Sequence, residues 1–261
     1  LVEVINHPSS SPKAIATAIS LVTTLKKTPV NVKDSTGFLV NRLLCTHLLE
    51  AGRLLTEGVP FNWIEDAAVQ FGLPMGPFTL LDELGLTLCF SVASELYRSF
   101  GERFKTPALM DAIGKAGFAG KSSGKGMYVW DESGRKLHMN EELVKLGDVK
   151  ISTEKPCAEE LQLIQDRLLM PMMDEAARCL EEKVVRKPRE LDIALVVGAG
   201  FPAFLGGPLR YCDQLGIPEV VARIKKVYEL SESGVQRSPC QLLISMAESG
   251  NGRRFYSSGD N

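Results

Sequence analysis

The chain has 261 residues, 44% of them apolar and 24% charged, with a formal net charge of −2. That is a globular composition. The near-neutral balance argues against a nucleic-acid surface, and no apolar run approaches the ~20 residues that a membrane helix needs. Cys45, Cys89, Cys157, Cys179, Cys212 and Cys240 contain no Cys-x-x-Cys pair and are expected as reduced thiols of an intracellular protein. Histidines, cysteines and acids show no metal-ligand spacing.

Leu1-Val2-Glu3-Val4-Ile5 reads as a buried strand, and a chain that opens directly on an element, with no Met or signal peptide, is expected to be a fragment. Ser11-Pro12 starts a helix striped by Ile15, Ile19, Val22 and Leu25, and Thr28-Pro29-Val30-Asn31-Val32 reads as a second strand. Residues 1–33 are therefore a β-α-β unit, the kind that closes an α/β sheet. The texture then turns helical. A long helix is expected over Phe38–Thr56, with others near 61–71, 87–100 and 107–116. Residues 117–130 read as a Gly/Ser/Lys loop, and residues 131–155, charged and weakly periodic, as a linker.

An internal repeat organises the rest. Asn41-Arg42-Leu43-Leu44 aligns with Asp166-Arg167-Leu168-Leu169 at an offset of 125, and Glu50-Ala51 with Glu175-Ala176 at the same offset. Gly72-Leu73-Pro74 aligns with Gly200-Phe201-Pro202, Gly76-Pro77 with Gly207-Pro208, Asp82-Glu83-Leu84-Gly85 with Asp213-Gln214-Leu215-Gly216, and Thr106-Pro107 with Ser238-Pro239. Two copies of one helical module follow, at 34–130 and at 156–257, the second domain running on to 261.

Gly198-Ala199-Gly200-Phe201-Pro202-Ala203 fits the letters of a dinucleotide fingerprint. Lys187-Pro188 starts a helix before it, so these glycines are expected in a helix–helix turn, with Gly72, the mate of Gly200, as a helix C-cap. Gly120-Lys121-Ser122-Ser123-Gly124-Lys125-Gly126 lacks phosphate-loop spacing and reads as a flexible basic loop. His47 reads as a satisfied helix residue and His138 as a linker residue, while His7, just after the first strand, remains open. Glu3, a carboxylate within an apolar strand, is either a solvated edge residue or a group that orients a base. Asn41 is either a cap or a ligand group between domains. Asp166 stands where the first copy has Asn41 and Pro171 is expected to interrupt its helix, so the second copy is expected to be structural.

Leu1–Ile5, Lys27-Thr28-Pro29-Val30, Lys33-Asp34-Ser35-Thr36-Gly37-Phe38-Leu39-Val40-Asn41-Arg42, Gly72–Pro77 and Gly120–Tyr128 together resemble the 3-hydroxyacyl-CoA dehydrogenases. The duplicated half, ending in Ser238–Leu243 and Arg254-Phe255-Tyr256, is similar to α-subunits of the fatty-acid oxidation complex and the trifunctional protein. The resemblance implies a mainly α fold: two duplicated helical modules behind a β-α-β remnant of a Rossmann-like NAD-binding domain. It implies a parent enzyme that oxidises L-3-hydroxyacyl-CoA to 3-ketoacyl-CoA with NAD, in bacterial cytoplasm or in a mitochondrial or peroxisomal matrix. It makes Glu3 the partner of an upstream histidine and Asn41 the stabiliser of the forming carbonyl. The histidine and the NAD loop then lie outside the chain, which alone is expected to be inactive. It also implies an acyl-CoA ligand, an internal pseudo-dimer of the two modules and a thiolase β-subunit as partner. The alternative is a non-catalytic helical scaffold.

Overall fold

Ser11 caps the first helix by accepting the Ala14 N–H at 3.1 Å, and Pro12 pre-sets its first turn. That helix, α1 (Pro12–Thr24), carries the chain between the parallel strands β1 (Val2–Asn6) and β2 (Pro29–Lys33), which pair Glu3 with Val30 and Val4 with Asn31. In this computed structural model residues 1–230, 237–249 and 252–256 are described. Helices follow: α2 (Val40–Thr56), α3 (Phe61–Phe71), α4 (Pro77–Leu84), α5 (Leu86–Phe100) and α6 (Ala108–Lys115). A hairpin of β3 (Tyr128–Trp130) and β4 (Lys136–Met139) precedes a short α7 (Leu143–Leu146). The remainder is helical: α8 (Ala158–Glu181), α9 (Pro188–Ala199), α10 (Pro208–Leu215), α11 (Ile217–Leu230) and α12 (Gln241–Glu248). The fold is thus mainly α, as expected, and among the described residues no helix is long and apolar enough to cross a membrane.

The chain divides into two compact units, residues 1–44, 172–225 and 238–261 in one, and residues 45–171 and 226–237 in the other. Their boundaries fall inside α2, α8 and α11, so each unit holds residues of both sequence copies. The first unit has Leu39, Leu191, Leu209 and Ile224 in its core, and the second Phe61, Phe78, Phe104 and Ile113, all fully buried.

Both copies use one device to join a helix to the turn after the next. Glu65 on α3 accepts the N–H groups of Phe78 and Thr79 at the start of α4 and the Tyr128 hydroxyl at 2.9 Å. Asp192 on α9 does the same for Leu209 and Arg210 at the start of α10 and for the Tyr256 hydroxyl. A carboxylate there satisfies otherwise unpaired N–H groups and complements the helix dipole. Glycine precedes each capped helix because a Cβ on Gly76 would sit 2.4 Å from the Glu65 carboxyl carbon, and one on Gly207 2.3 Å from the Asp192 Cβ. One helical turn on, Asp82 accepts the N–H groups of Met127 and Tyr128, and Asp213 those of Phe255 and Tyr256.

Three expectations change. Residues 131–155 are no free tether: Leu143 and Val149 are buried, and the Phe61 N–H donates to the Lys150 carbonyl. The segment is charged on its outer side yet packs through a few apolar residues too sparse to show a period. The Gly120–Gly126 loop is held in shape by Asp82, and its lysines pair with Glu83 and Glu142. Pro171 does not interrupt α8, which runs from Ala158 to Glu181. Leu168, Leu169, Met170, Met172 and Met173 around it are all buried, and that burial outweighs the ~3 kcal/mol a mid-helix proline costs.

Candidate functional site

Glu3 is half-buried on β1, and its Oε1 accepts the Leu39 N–H at 2.8 Å and the Val40 N–H at 3.4 Å. The carboxylate therefore sits on the first turn of α2, where the expected helix start at Phe38 gives way to a left-handed turn: Gly37 has φ 73° and Phe38 φ 47°. A phenylalanine in that region is strained, and such strain concentrates at functional sites. No other hydrogen bond among the described residues reaches Glu3, so Oε2 is left for a further donor. Burial pushes the Glu3 pKa up, and the two backbone N–H groups oppose that rise. Asn41, the second residue of α2, is exposed, and no hydrogen bond among the described residues holds its amide. Both candidate residues thus lie at one helix end, Glu3 anchored there through Oε1 and Asn41 exposed on the first turn.

The second copy borders the same helix end. Gly198, near the end of α9, stands so close to β1 and α2 that a Cβ there would lie 2.5 Å from Leu1 Cδ2 and 3.3 Å from Val40 Cγ2. Gly200 is the left-handed C-cap of α9 at φ 72°, as Gly72 is of α3 at φ 113°. The Gly-x-Gly run is therefore a helix end and not a strand-to-phosphate turn, and it offers no dinucleotide site.

The histidines are elsewhere. His7 follows the far end of β1, four residues and roughly 13 Å from Glu3 along the strand. Its Nδ1 accepts the Ser9 N–H and its Nε2 lies 4.0 Å from Asp34 Oδ2, so it has local partners that the sequence did not reveal. His47 is buried and bonded to the Leu168 carbonyl, with burial pulling its pKa down to about 4. It is a neutral structural group, as expected. His138 is exposed beside the Met139 carbonyl. No group of three or more metal-ligating side chains occurs among the described residues.

Asp166, the counterpart of Asn41, lies well inside α8 and accepts from Gln162. No helix start lies beside it. Sequence reading missed the buried Arg–Glu sets flanking these positions. Arg42 donates to Glu175 and Glu182, and Arg167 to Glu50 and Glu57. The repeat offset of 125 carries one set onto the other, and this was the signal available.

The model of the 3-hydroxyacyl-CoA dehydrogenase C-terminal domain matches the chain twice, at residues 37–130 and 163–258. The fatty acid oxidation complex subunit alpha of Idiomarina loihiensis is 40% identical over 256 residues, and that of Vibrio vulnificus likewise 40%. The chain is covered to 98% but spans only 35% of the length of these relatives. Among solved structures, 3-hydroxybutyryl-CoA dehydrogenase from Escherichia coli superposes with a TM-score of 0.75 over 94% of this chain and 66% of that one, at 21% identity. The dehydrogenase part of multifunctional enzyme 1 from C. elegans gives 0.61 over 93% and 55%, at 24% identity. These two similarities establish the fold.

Proposed function

The chain belongs to the 3-hydroxyacyl-CoA dehydrogenase C-terminal domain family, and on that premise we propose that it is the C-terminal part of an enzyme that oxidises L-3-hydroxyacyl-CoA to 3-ketoacyl-CoA in fatty-acid β-oxidation. The observation that carries this reading is the placement of Glu3 beside Asn41 at the start of α2. Glu3 acts as a positioning residue. Two backbone N–H groups fix Oε1, which leaves Oε2 to accept a ring N–H of a histidine base, orienting it and favouring its charged form. Asn41 donates its amide N–H to the substrate oxygen as that oxygen gains carbonyl character. NAD, the oxidant in this reading, is assigned to residues outside the chain, since the Gly198–Ala203 run that fits the letters of a dinucleotide fingerprint is a helix end.

The same reading makes the two modules an internal pseudo-dimer. Its support is the exchange of partners, in which the arginine of each copy is held by the acids of the other. The name of the relatives, a complex subunit, extends the reading to a thiolase partner, in the cytoplasm of a bacterium or an organelle matrix. The exchanged ion pairs also favour a second reading of the chain in isolation, as a helical scaffold without turnover.

The test is NAD-dependent oxidation of a 3-hydroxyacyl-CoA by the full-length protein and by the chain alone. Turnover by the former only, with Glu3→Gln lowering kcat far more than it raises KM, is the expected result. Absence of turnover in the full-length protein overturns the dehydrogenase reading, and turnover by the chain alone overturns the assignment of base and cofactor.

A further inference from the structure

A cleft of about 890 Å³ opens in the first compact unit, lined by the carboxyl ends of β1 and β2 and by the turn between α8 and α9. The Lys33 N–H donates to the Val184 carbonyl at 2.8 Å and ties the strand to that turn. The carboxyl ends of parallel strands are where α/β units open their ligand crevices. His7 lies on this cleft, with Nδ1 accepting the Ser9 N–H, so its ring proton is on Nε2.

Lys33, Lys183 and Arg186 line the cleft, and none of them has an ion pair among the described residues. Two acids line it as well. Glu182 is bound by two N–H groups of Arg42, and Asp34 stands 4.0 Å from His7. Three cations against Asp34, the one acid without an arginine, leave a surplus of two positive charges. A bound dianion balances that surplus. Asn31, two residues before Lys33 on the same face of β2, has its Oδ1 shielded from water and without a hydrogen-bond partner. A carbonyl left so marks a place that a further donor completes. The two features together call for a ligand that joins an anionic group to an N–H or O–H.

Two of the three cations are peculiar to the second copy. At the repeat offset Lys183 answers to Gly58, and Arg186 to Phe61, a core residue. Gly58 has φ 85° and Lys183 φ 58°, so the second copy keeps a lysine in a left-handed position that the first gives to glycine. Backbone held where a side chain is disfavoured concentrates at ligand sites.

We propose that this cleft binds a nucleotide, with its phosphate held by Lys33, Lys183 and Arg186 and a sugar hydroxyl or base amine donating to Asn31. Its volume is that of a small-molecule site, and a phosphate monoester carries nearly two negative charges at neutral pH. The proposal is independent of the dehydrogenase reading, because neither Glu3 nor Asn41 lines the cleft.

The test is calorimetric titration of the full-length protein with AMP, inorganic phosphate and adenosine. AMP is expected to fill a site that Lys183→Gly with Arg186→Gln weakens by roughly tenfold or more, and Asn31→Ala by about fivefold. High salt should weaken it further. Phosphate and adenosine should each bind roughly tenfold or more weakly than AMP. Gly58 shows that glycine suits the place of Lys183, and Arg186 is exposed, so the melting temperature of the double variant should not fall. AMP binding that the double substitution leaves unchanged overturns the proposal and puts the nucleotide elsewhere in the protein. Phosphate binding as tightly as AMP overturns the nucleotide and leaves a simple anion site. Absence of any AMP site in the full-length protein also overturns it, and assigns the cleft to another part of the polypeptide.

Discussion

Arg42 donates from Nε to Glu175 Oε1 at 2.6 Å with both side chains almost wholly out of water, and its image under the repeat is Arg167 with Glu50. Each guanidinium also reaches a second acid seven residues after the first and just past the helix end, Glu182 or Glu57, with two bonds. Desolvating such a pair offsets much of its attraction, so the pair is fragile to the loss of one partner. Arg42→Met should destabilise by about 3–5 kcal/mol because buried Glu175 loses its 2.6 Å charge partner, and the next guanidinium, Arg178, stands 4.0 Å away. Arg42→Met with Glu175→Met should recover most of that loss. Urea unfolding of the two variants decides it, and equal losses would mean that the pair is a net stabiliser.

Gly58 and Lys183 are mates at the repeat offset, and both are left-handed, at φ 85° and 58°. Each closes the C-terminus of its long helix, with the Gly58 N–H on the Leu55 carbonyl and the Lys183 N–H on the Leu180 carbonyl. A Cβ is unfavourable in that conformation. Lys183→Gly is therefore expected to stabilise by up to about 1 kcal/mol, and Gly58→Ala to destabilise by about 1 kcal/mol. Melting temperatures moving in the same direction for both variants would contradict this.

Two buried groups titrate with opposite signs. Burial holds the His47 pKa down at about 4, below its unfolded value, so its contribution is present above the unfolded pKa and is lost as pH falls towards 4. Asp192 is pushed up to about 6 chiefly by burial, against the pull of the Tyr256 hydroxyl and two backbone N–H groups. Its contribution is present at low pH and is lost as pH rises towards 6. His47→Gln should thus flatten the loss of stability on acidification from pH 6.5 to 4, while Asp192→Asn should make that loss steeper. Unfolding free energies measured across the window check both slopes.

Asn41 and Asp166 occupy equivalent positions in the two copies, but only Asn41 lies at a helix start beside Glu3. An ionised carboxylate cannot donate to an oxygen gaining negative charge. In the full-length protein Asn41→Asp should lower kcat/KM at least tenfold, equivalent to ~1.4 kcal/mol, and Asp166→Asn by less than about threefold. A larger loss at Asp166 would give the second copy a share in the chemistry.

The periodicity and the repeat determined the helices, the β-α-β unit and the twofold presence of one module, because these depend on neighbours three or four residues apart and on spacing that survives duplication. Gly72 and Gly200 were legible as helix ends for the same local reason. Tertiary structure decided what depends on residues far apart in the chain. Glu3 meets the N–H of Leu39 across thirty-six positions, and Arg42 meets Glu175 across 133. Neither contact leaves a local pattern, since an acid in a strand or an arginine in a helix looks the same whether solvated or paired. Pro171 shows the converse. Its local propensity was read correctly, and the burial of five neighbouring side chains overrode it.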